Sequence, residues 1–204
     1  MRTIALSTAT VILSLSGFAQ TQSPEKKFKF GFNVGVDYPK SQFKTDPATI
    51  QQLQTSNGTG LRLGILMDYA FTSHFVISPK AELAFNNSNV SITGKDGSKE
   101  TYELYPTIEL ASHFIYKIPN EKLEPYLLFG PKYKIPLADK KTNSALFIKS
   151  PTVALDFGIG ANKPFTYLTV APEIRYSLGL TNISNIDAVK SLYYHTVSLV
   201  FNFK

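Results

Sequence analysis

Apolar and polar residues alternate one for one along most of the chain. The first alternating segment, residues 27–38, reads KFKFGFNVGVDY and is apolar at every second position. Alternation with a period of two predicts a β-strand, and this one is longer than the roughly 9–11 residues that a tilted strand needs to cross a bilayer. The same pattern returns in seven further segments, 61–71, 75–85, 102–116, 127–137, 153–161, 168–180 and 193–203. The sequence therefore predicts eight strands.

Charged residues occupy only one face of each predicted strand. The apolar faces together hold 50 positions without Asp, Glu, Lys or Arg, although 18% of the chain is charged and about nine such residues would fall there at random. A Lys or Arg that faces lipid at the bilayer midplane costs roughly 2–4 kcal/mol, which explains the exclusion. A soluble β-sandwich also alternates, but the polar faces here are small, as in a barrel lumen.

The connections between the predicted strands alternate between short and long. Residues 71–75, 118–124 and 162–165 make short connections, whereas 39–58, 93–100, 138–150 and 181–190 are longer and polar. Aromatic residues gather at both ends of the strands, where amphipathic rings prefer the membrane interfaces. Tight turns on one side and long loops on the other are typical of outer-membrane proteins. We predict an all-β fold, an eight-stranded antiparallel transmembrane up-and-down β-barrel with both termini in the periplasm.

Several prolines fall within the predicted strands. Each removes a hydrogen-bond donor from the ladder, and a closed barrel has no free edge to accommodate the loss. We expect β-bulges or strand ends at these positions, which are Pro79, Pro106, Pro131, Pro136 and Pro172.

The first residues have the features of an export signal. Arg2 supplies a positive charge, Ile4 to Leu15 form an apolar stretch, and Gly17 and Ala19 are the small residues that a signal peptidase requires. We predict a signal peptide at 1–19 and an outer-membrane β-barrel domain at 20–204. The absence of Cys excludes disulfides, thiolate zinc sites, a Cys nucleophile and a lipid anchor on an N-terminal Cys.

The polar faces of the predicted strands carry acids and bases in nearly equal number. An eight-stranded barrel is just wide enough for side chains to fill it, and opposite charges enclosed there should pair. We predict a salt-bridged network that fills the lumen, with a path for protons or a ligand as the alternative. Its predicted members are Lys29, Asp37, Arg62, Asp68, Lys80, Glu82, Glu103, Glu109, Lys132, Lys134, Asp156, Glu173 and Arg175.

The remaining chemistry of the sequence is sparse. The net charge of +6 comes from scattered basic residues, so we expect no nucleic-acid partner. His113 and Glu109, four residues apart on one face, could belong to a Ser-His-acid set, but such neighbours arise by chance in a charged lumen. No metal or nucleotide motif is present in the sequence. We therefore expect no enzyme activity, no catalytic or metal-binding residue and no cofactor.

Four stretches of the chain resemble a known family. They are residues 30–35, FGFNVG; 124–133, EPYLLFGPKY; 155–161, LDFGIGA; and 171–182, APEIRYSLGLTN. They resemble the PorT-type outer-membrane β-barrel family of Bacteroidetes-type bacteria over about residues 27–204. The resemblance implies a role in protein export by the type IX secretion system and offers no catalytic residues.

The expected function combines this resemblance with the width of the barrel. A filled eight-stranded barrel cannot pass a protein through its centre, so a secretion role would act through contacts with partners rather than as an open pore. The expected partners are outer-membrane lipid and, from the resemblance, other components of the secretion system. The alternative is a small general outer-membrane barrel for adhesion or envelope stability.

Overall fold

The described part of the chain consists of β-strands and their connections. The computed structural model describes residues 27–45, 50–56, 58–85, 89–94, 99–103, 106–119, 123–137, 151–182 and 189–204. The predicted signal peptide and the predicted loop 138–150 lie outside these ranges. Within them, no helix has the length and hydropathy to cross a membrane. The strands are β1 (Phe28–Thr45), β2 (Ile50–Ser56), β3 (Gly60–Ala70), β4 (Phe75–Phe85), β5 (Asn89–Gly94), β6 (Lys99–Glu103), β7 (Thr107–Lys117), β8 (Glu124–Pro136), β9 (Thr152–Pro164), β10 (Thr169–Gly179) and β11 (Val189–Phe203).

Eight of these strands close into a barrel. Their order around the wall is β1-β11-β10-β9-β8-β7-β4-β3, and every neighbouring pair is antiparallel. Each barrel strand therefore lies beside the barrel strands that precede and follow it along the chain, and the pairing of β1 with β11 closes the circle. Closure leaves no edge strand in the wall. The predicted eight-stranded antiparallel up-and-down barrel is confirmed.

The wall is polar inside and apolar outside. On β10 the inward residues Glu173 and Arg175 are at most 1% exposed, while the outward residue Ile174 is 54% exposed. The same inversion holds on β3, where Arg62 is buried and Ile65 is 66% exposed. A soluble protein buries its apolar side chains first, so this arrangement requires an apolar solvent around the barrel.

The two ends of the barrel differ in their connections. The turn end carries the short connections 71–74, 118–123 and 165–168, together with the start of β1 and the end of β11. The opposite end, the loop end, carries the longer connections. Here β1 and β11 pair as far as Thr45 and Val189, so the predicted loops 39–58 and 181–190 are in part strand.

A second sheet lies in the connections of the loop end. It has three strands in the order β2-β5-β6, with β5 and β6 joined as a hairpin where the sequence analysis predicted a loop at 93–100. The predicted strand 102–116 is divided: Glu103 pairs with Asn89 in this sheet, and the barrel strand begins only at Thr107. The prediction that Glu103 lies on a strand of the barrel is therefore wrong. The division falls next to Pro106, which has no N–H to continue a ladder.

The prolines follow the prediction at two positions and depart from it at three. Pro106 and Pro136 lie at strand ends, as expected. Pro79, Pro131 and Pro172 instead lie within strands whose register is unbroken, without a bulge.

Each of these interior prolines interrupts the pairing on one side only. Pro131 keeps its partner Leu155 on β9, whereas the ladder with β7 skips from Ala111 to Phe114. The same one-sided gap occurs at Pro79 towards β3 and at Pro172 towards β9. Each strand of the wall has two neighbouring strands, and the N–H and C=O of one residue both bond to the same one of them. A proline that lacks the N–H therefore affects the ladder on that side and leaves the ladder on the other side intact. The expectation of bulges there was wrong for this reason.

Candidate functional site in the barrel interior

The alternation of the barrel strands aims one row of side chains from each strand at the central axis. Ten charged side chains meet there, five basic and five acidic, and none is more than 7% exposed. We call these ten residues the lumen network. They are Asp37, Arg62, Lys80, Glu82, Glu109, Lys132, Lys134, Asp156, Glu173 and Arg175.

Arg62 on β3 joins three carboxylates from three other strands. Its Nε and Nη2 donate to the two oxygens of Asp37 over 3.1 and 2.8 Å. Its Nη1 donates to Glu82 over 2.6 Å and to Glu109 over 2.7 Å. The planar guanidinium presents several fixed donors, which suits a site where carboxylates converge from different directions.

Arg175 on β10 occupies the corresponding place on the other side of the lumen. Its Nη2 donates to Glu173 over 2.7 Å, and its Nη1 donates to Glu82 Oε2 over 2.9 Å. Glu82 Oε2 therefore accepts from both arginines, which links β3, β4 and β10 across the interior. A carboxylate held between two guanidinium groups is well compensated for the loss of water.

Lysines complete the pairing. Lys132 Nζ lies 2.9 Å from Asp156 and 3.2 Å from Glu109, and it also donates to Ser177 Oγ over 2.9 Å. Lys80 lies 3.3 Å from Glu173, and Lys134 lies 3.5 Å from Glu109. Every charge of the lumen network thus has an opposite charge in contact, and the ten formal charges sum to zero.

Neutral polar side chains support the acids. Tyr126 donates its hydroxyl to Glu173 over 3.0 Å, Asn33 donates to Glu82 over 2.9 Å, and Asn202 donates to Glu173 over 3.3 Å. These three were not predicted from the sequence, because only charged residues mark a lumen network by their composition. Their position on the polar faces of strands, level with the charges, is the signal that could have identified them.

The structure separates the residues of the hypothetical catalytic set. His113 Nε2 lies 2.9 Å from Asp156 Oδ2, and no hydrogen bond joins it to Glu109 within the described residues. Glu109 is instead held by Arg62 and Lys132. His113 is thus a further member of the ion-paired cluster around Asp156. Across the ranges that the structure describes, no group of three or more His, Asp and Glu residues is placed to hold a metal ion.

Two predicted members lie at the turn end and not in the central network. Asp68 pairs with Lys204 over 2.6 Å and accepts a hydrogen bond from Ser78 over 2.6 Å. Lys29 is exposed at the mouth of the barrel, beside a cleft of about 80 Å³. Glu103 lies outside the barrel wall. The structure therefore brings ten of the thirteen predicted residues together.

Comparison with known proteins agrees with this architecture. Residues 18–185 match the family model described as outer membrane protein beta-barrel domain. The chain belongs to this family. As an outer-membrane barrel it lies in the outer membrane, with its exposed apolar face against lipid. The orientation of the barrel in this membrane, with both termini in the periplasm, stays a prediction.

Comparison with solved structures finds outer-membrane proteins, and the likeness to one of them, OprG, shows the shared fold. The outer membrane protein OprG from Pseudomonas aeruginosa has a TM-score of 0.52 at 14% identity, with 86% of this chain and 92% of that chain covered. Neisserial surface protein A has a TM-score of 0.49 at 12% identity, with 87% and 98% covered. No curated protein matches the sequence.

Proposed function

We propose that this outer-membrane barrel acts through contacts of its surfaces and not as an open pore. The observation that carries the proposal is the lumen network, in which ten buried charges from seven strands lie in contact across the interior. Widening the lumen would separate these pairs and leave buried charges without partners, which costs several kcal/mol for each broken pair. The interior therefore serves to keep the wall rigid.

The loop end is the surface best suited to a partner. There β1 and β11 continue as a paired ribbon to Thr45 and Val189, and the sheet β2-β5-β6 adds further ordered backbone. Rigid scaffolds that present loops at one end commonly use those loops for recognition. An adhesion or envelope-stabilising role is compatible with this layout.

Export by the type IX secretion system is the second candidate role. It is supported by the resemblance of residues 27–204 to the PorT-type family, whereas the matching family model describes outer-membrane barrels in general. In this role too the protein would contact the secretion machinery, because the filled lumen leaves no route for a polypeptide.

Planar-bilayer recording tests the proposal, common to both candidate roles, that the barrel is not an open pore. We expect purified barrel to show negligible steady conductance, while the shift of its gel mobility on boiling shows that the same sample is folded. Large, stable, ion-selective steps would contradict a closed interior.

A deletion strain separates the two roles. Accumulation of type IX cargo in the periplasm would favour the export role. Normal secretion of cargo with loss of adhesion or envelope integrity would favour the general role. In either case we expect loop-end replacements to reproduce the deletion while the barrel stays folded.

A further inference from the structure

The cleft of about 80 Å³ at the turn end is lined by more bases than acids. Among the described residues, its charged lining side chains are Lys27, Lys29, Asp68, Lys117, Glu124 and Lys204. Four of these six are basic and two are acidic, whereas the lumen network in the middle of the barrel has as many acids as bases. The cleft therefore differs from the barrel interior in carrying a net positive charge.

Two ion pairs account for four of these six charges. Lys204 Nζ lies 2.6 Å from Asp68 Oδ2 and 5.7 Å from the centre of the buried Tyr126 ring, so this pair lies on the inner side of the cleft. Lys117 Nζ lies 3.4 Å from Glu124 Oε2, and both of these side chains are partly exposed. Each pair is neutral as a whole, so neither supplies the excess charge.

Lys27 and Lys29 supply the excess. Both are exposed, and within the described residues neither forms an ion pair. Lys27 immediately precedes β1, and its C=O accepts a hydrogen bond from the N–H of Ala70 over 2.9 Å, which holds it beside β3. Residues two positions apart in extended backbone share a face, so both lysines line the same side of the cleft. Two ammonium groups at one opening without a balancing acid attract an anion.

The neutral part of the lining favours an anion with an apolar stem. Ala70 is partly exposed and Pro164 is exposed in the same cleft, and Thr169 adds a hydroxyl group. Inorganic phosphate would leave the two apolar side chains in water, whereas a carboxylate on a short aliphatic chain covers them. An engineered cavity of about 150 Å³ admits benzene, so a cleft of about 80 Å³ has room for one short side chain.

We propose that this cleft binds a glutamate side chain from an acidic segment of a polypeptide partner, with Lys27 and Lys29 as the pairing cations. A single carboxylate gains little from exposed lysines. A segment with two consecutive glutamates matches the excess of two positive charges, with one side chain in the cleft and the other at its rim. In the predicted orientation the turn end faces the periplasm, so this contact is separate from any partner of the loop end.

Fluorescence anisotropy of the folded barrel in zwitterionic micelles tests the proposal. The probe is a fluorescent peptide with two consecutive glutamates between glycines, and the neutral comparison has glutamines in their place. We expect saturable binding of the glutamate peptide only. Combined Lys27→Gln and Lys29→Gln should weaken that binding about tenfold, because each exposed ion pair contributes up to about fivefold. Combined Lys27→Arg and Lys29→Arg should retain it.

Lys40→Gln combined with Lys163→Gln is the matched control. It removes the same charge from two exposed lysines, one at the loop end and one at the turn end, and neither of them lines the cleft. This variant should bind the glutamate peptide as the native barrel does, and the gel-mobility shift on boiling shows that each sample is folded. Equal loss in both double variants, equal binding of the glutamine peptide, or an affinity for inorganic phosphate or glutarate equal to that for the peptide would each overturn the proposal.

Discussion

At the scale of single residues, Arg62 shows how much depends on one side chain. Its guanidinium contacts Asp37, Glu82 and Glu109, and all four side chains are almost completely buried. Removing one partner of a buried pair costs about 3–5 kcal/mol, because the remaining charge is left without compensation. Arg62→Met removes the cation paired with Asp37 and one of the cations paired with Glu82 and Glu109, so it should lower the free energy of unfolding by at least that amount.

Urea unfolding followed by circular dichroism measures this effect. Lys29→Met is the control, since it removes an exposed lysine from the neighbouring strand and should change the free energy of unfolding by less than about 1 kcal/mol. Equal midpoints for the two variants would mean that Arg62 is hydrated in the folded barrel.

Gly160 is a second residue whose identity is set by a contact. A Cβ atom there would overlap the ring and the hydroxyl of Tyr126, its cross-strand partner on β8. Gly160→Ala should therefore displace the Tyr126 ring, weaken its hydrogen bond to Glu173 and cost about 1–3 kcal/mol. Combining it with Tyr126→Ala in a double-mutant cycle should show strong coupling, because the smaller partner relieves the clash. Additive effects of the two changes would contradict this packing.

At the scale of elements, the interior prolines have a defined effect on pairing. Pro131 has no partner in the ladder between β7 and β8, so the wild-type strand already lacks a hydrogen bond there. Pro131→Ala should therefore change the free energy of unfolding by less than about 1 kcal/mol. Leu127 is half exposed to lipid and is paired with both Tyr116 and Ile159. Leu127→Pro removes a ladder bond with little loss of packing and should cost about 1–3 kcal/mol. Similar urea midpoints for these two variants would contradict the one-sided gap.

The elements that the sequence predicts well are those in contact with lipid. A lipid-facing charge is so unfavourable that each spanning strand keeps strict alternation, and the pattern ends where the lipid ends. Beyond Tyr38 the outward row of β1 turns polar, so its continuation to Thr45 leaves no such signal. The pairing of β1 with β11 satisfies the backbone there instead.

The sequence predicts that the charges inside the lumen form ion pairs, but not which residues pair. Alternation identifies which residues face inward, and the narrow barrel implies that opposite charges pair. The partners depend on the register between strands, which determines that Glu82 meets both Arg62 and Arg175. Register is a tertiary property, and Glu103 shows the consequence of assigning it by alternation alone.

At the scale of the whole molecule, the central claim is a lipid-embedded barrel whose interior is filled and dry. The native chain contains no Cys, so single cysteines can report on each face separately. Ala171 and Ser177 on β10 and Ser198 on β11 are completely buried in the interior, whereas Ile174 and Tyr176 on β10 face outward.

Labelling of single cysteines at these five positions in liposomes tests the claim most directly. We predict that cysteines at the three inward positions resist a water-soluble maleimide until the barrel is unfolded. Fluorophores attached before folding at Ile174→Cys and Tyr176→Cys should be quenched by a nitroxide in the lipid acyl chains. Rapid labelling of the inward positions would reveal a water-filled pore. Outward fluorophores that are quenched by a water-soluble quencher and not by the nitroxide in the lipid would contradict a membrane-embedded barrel.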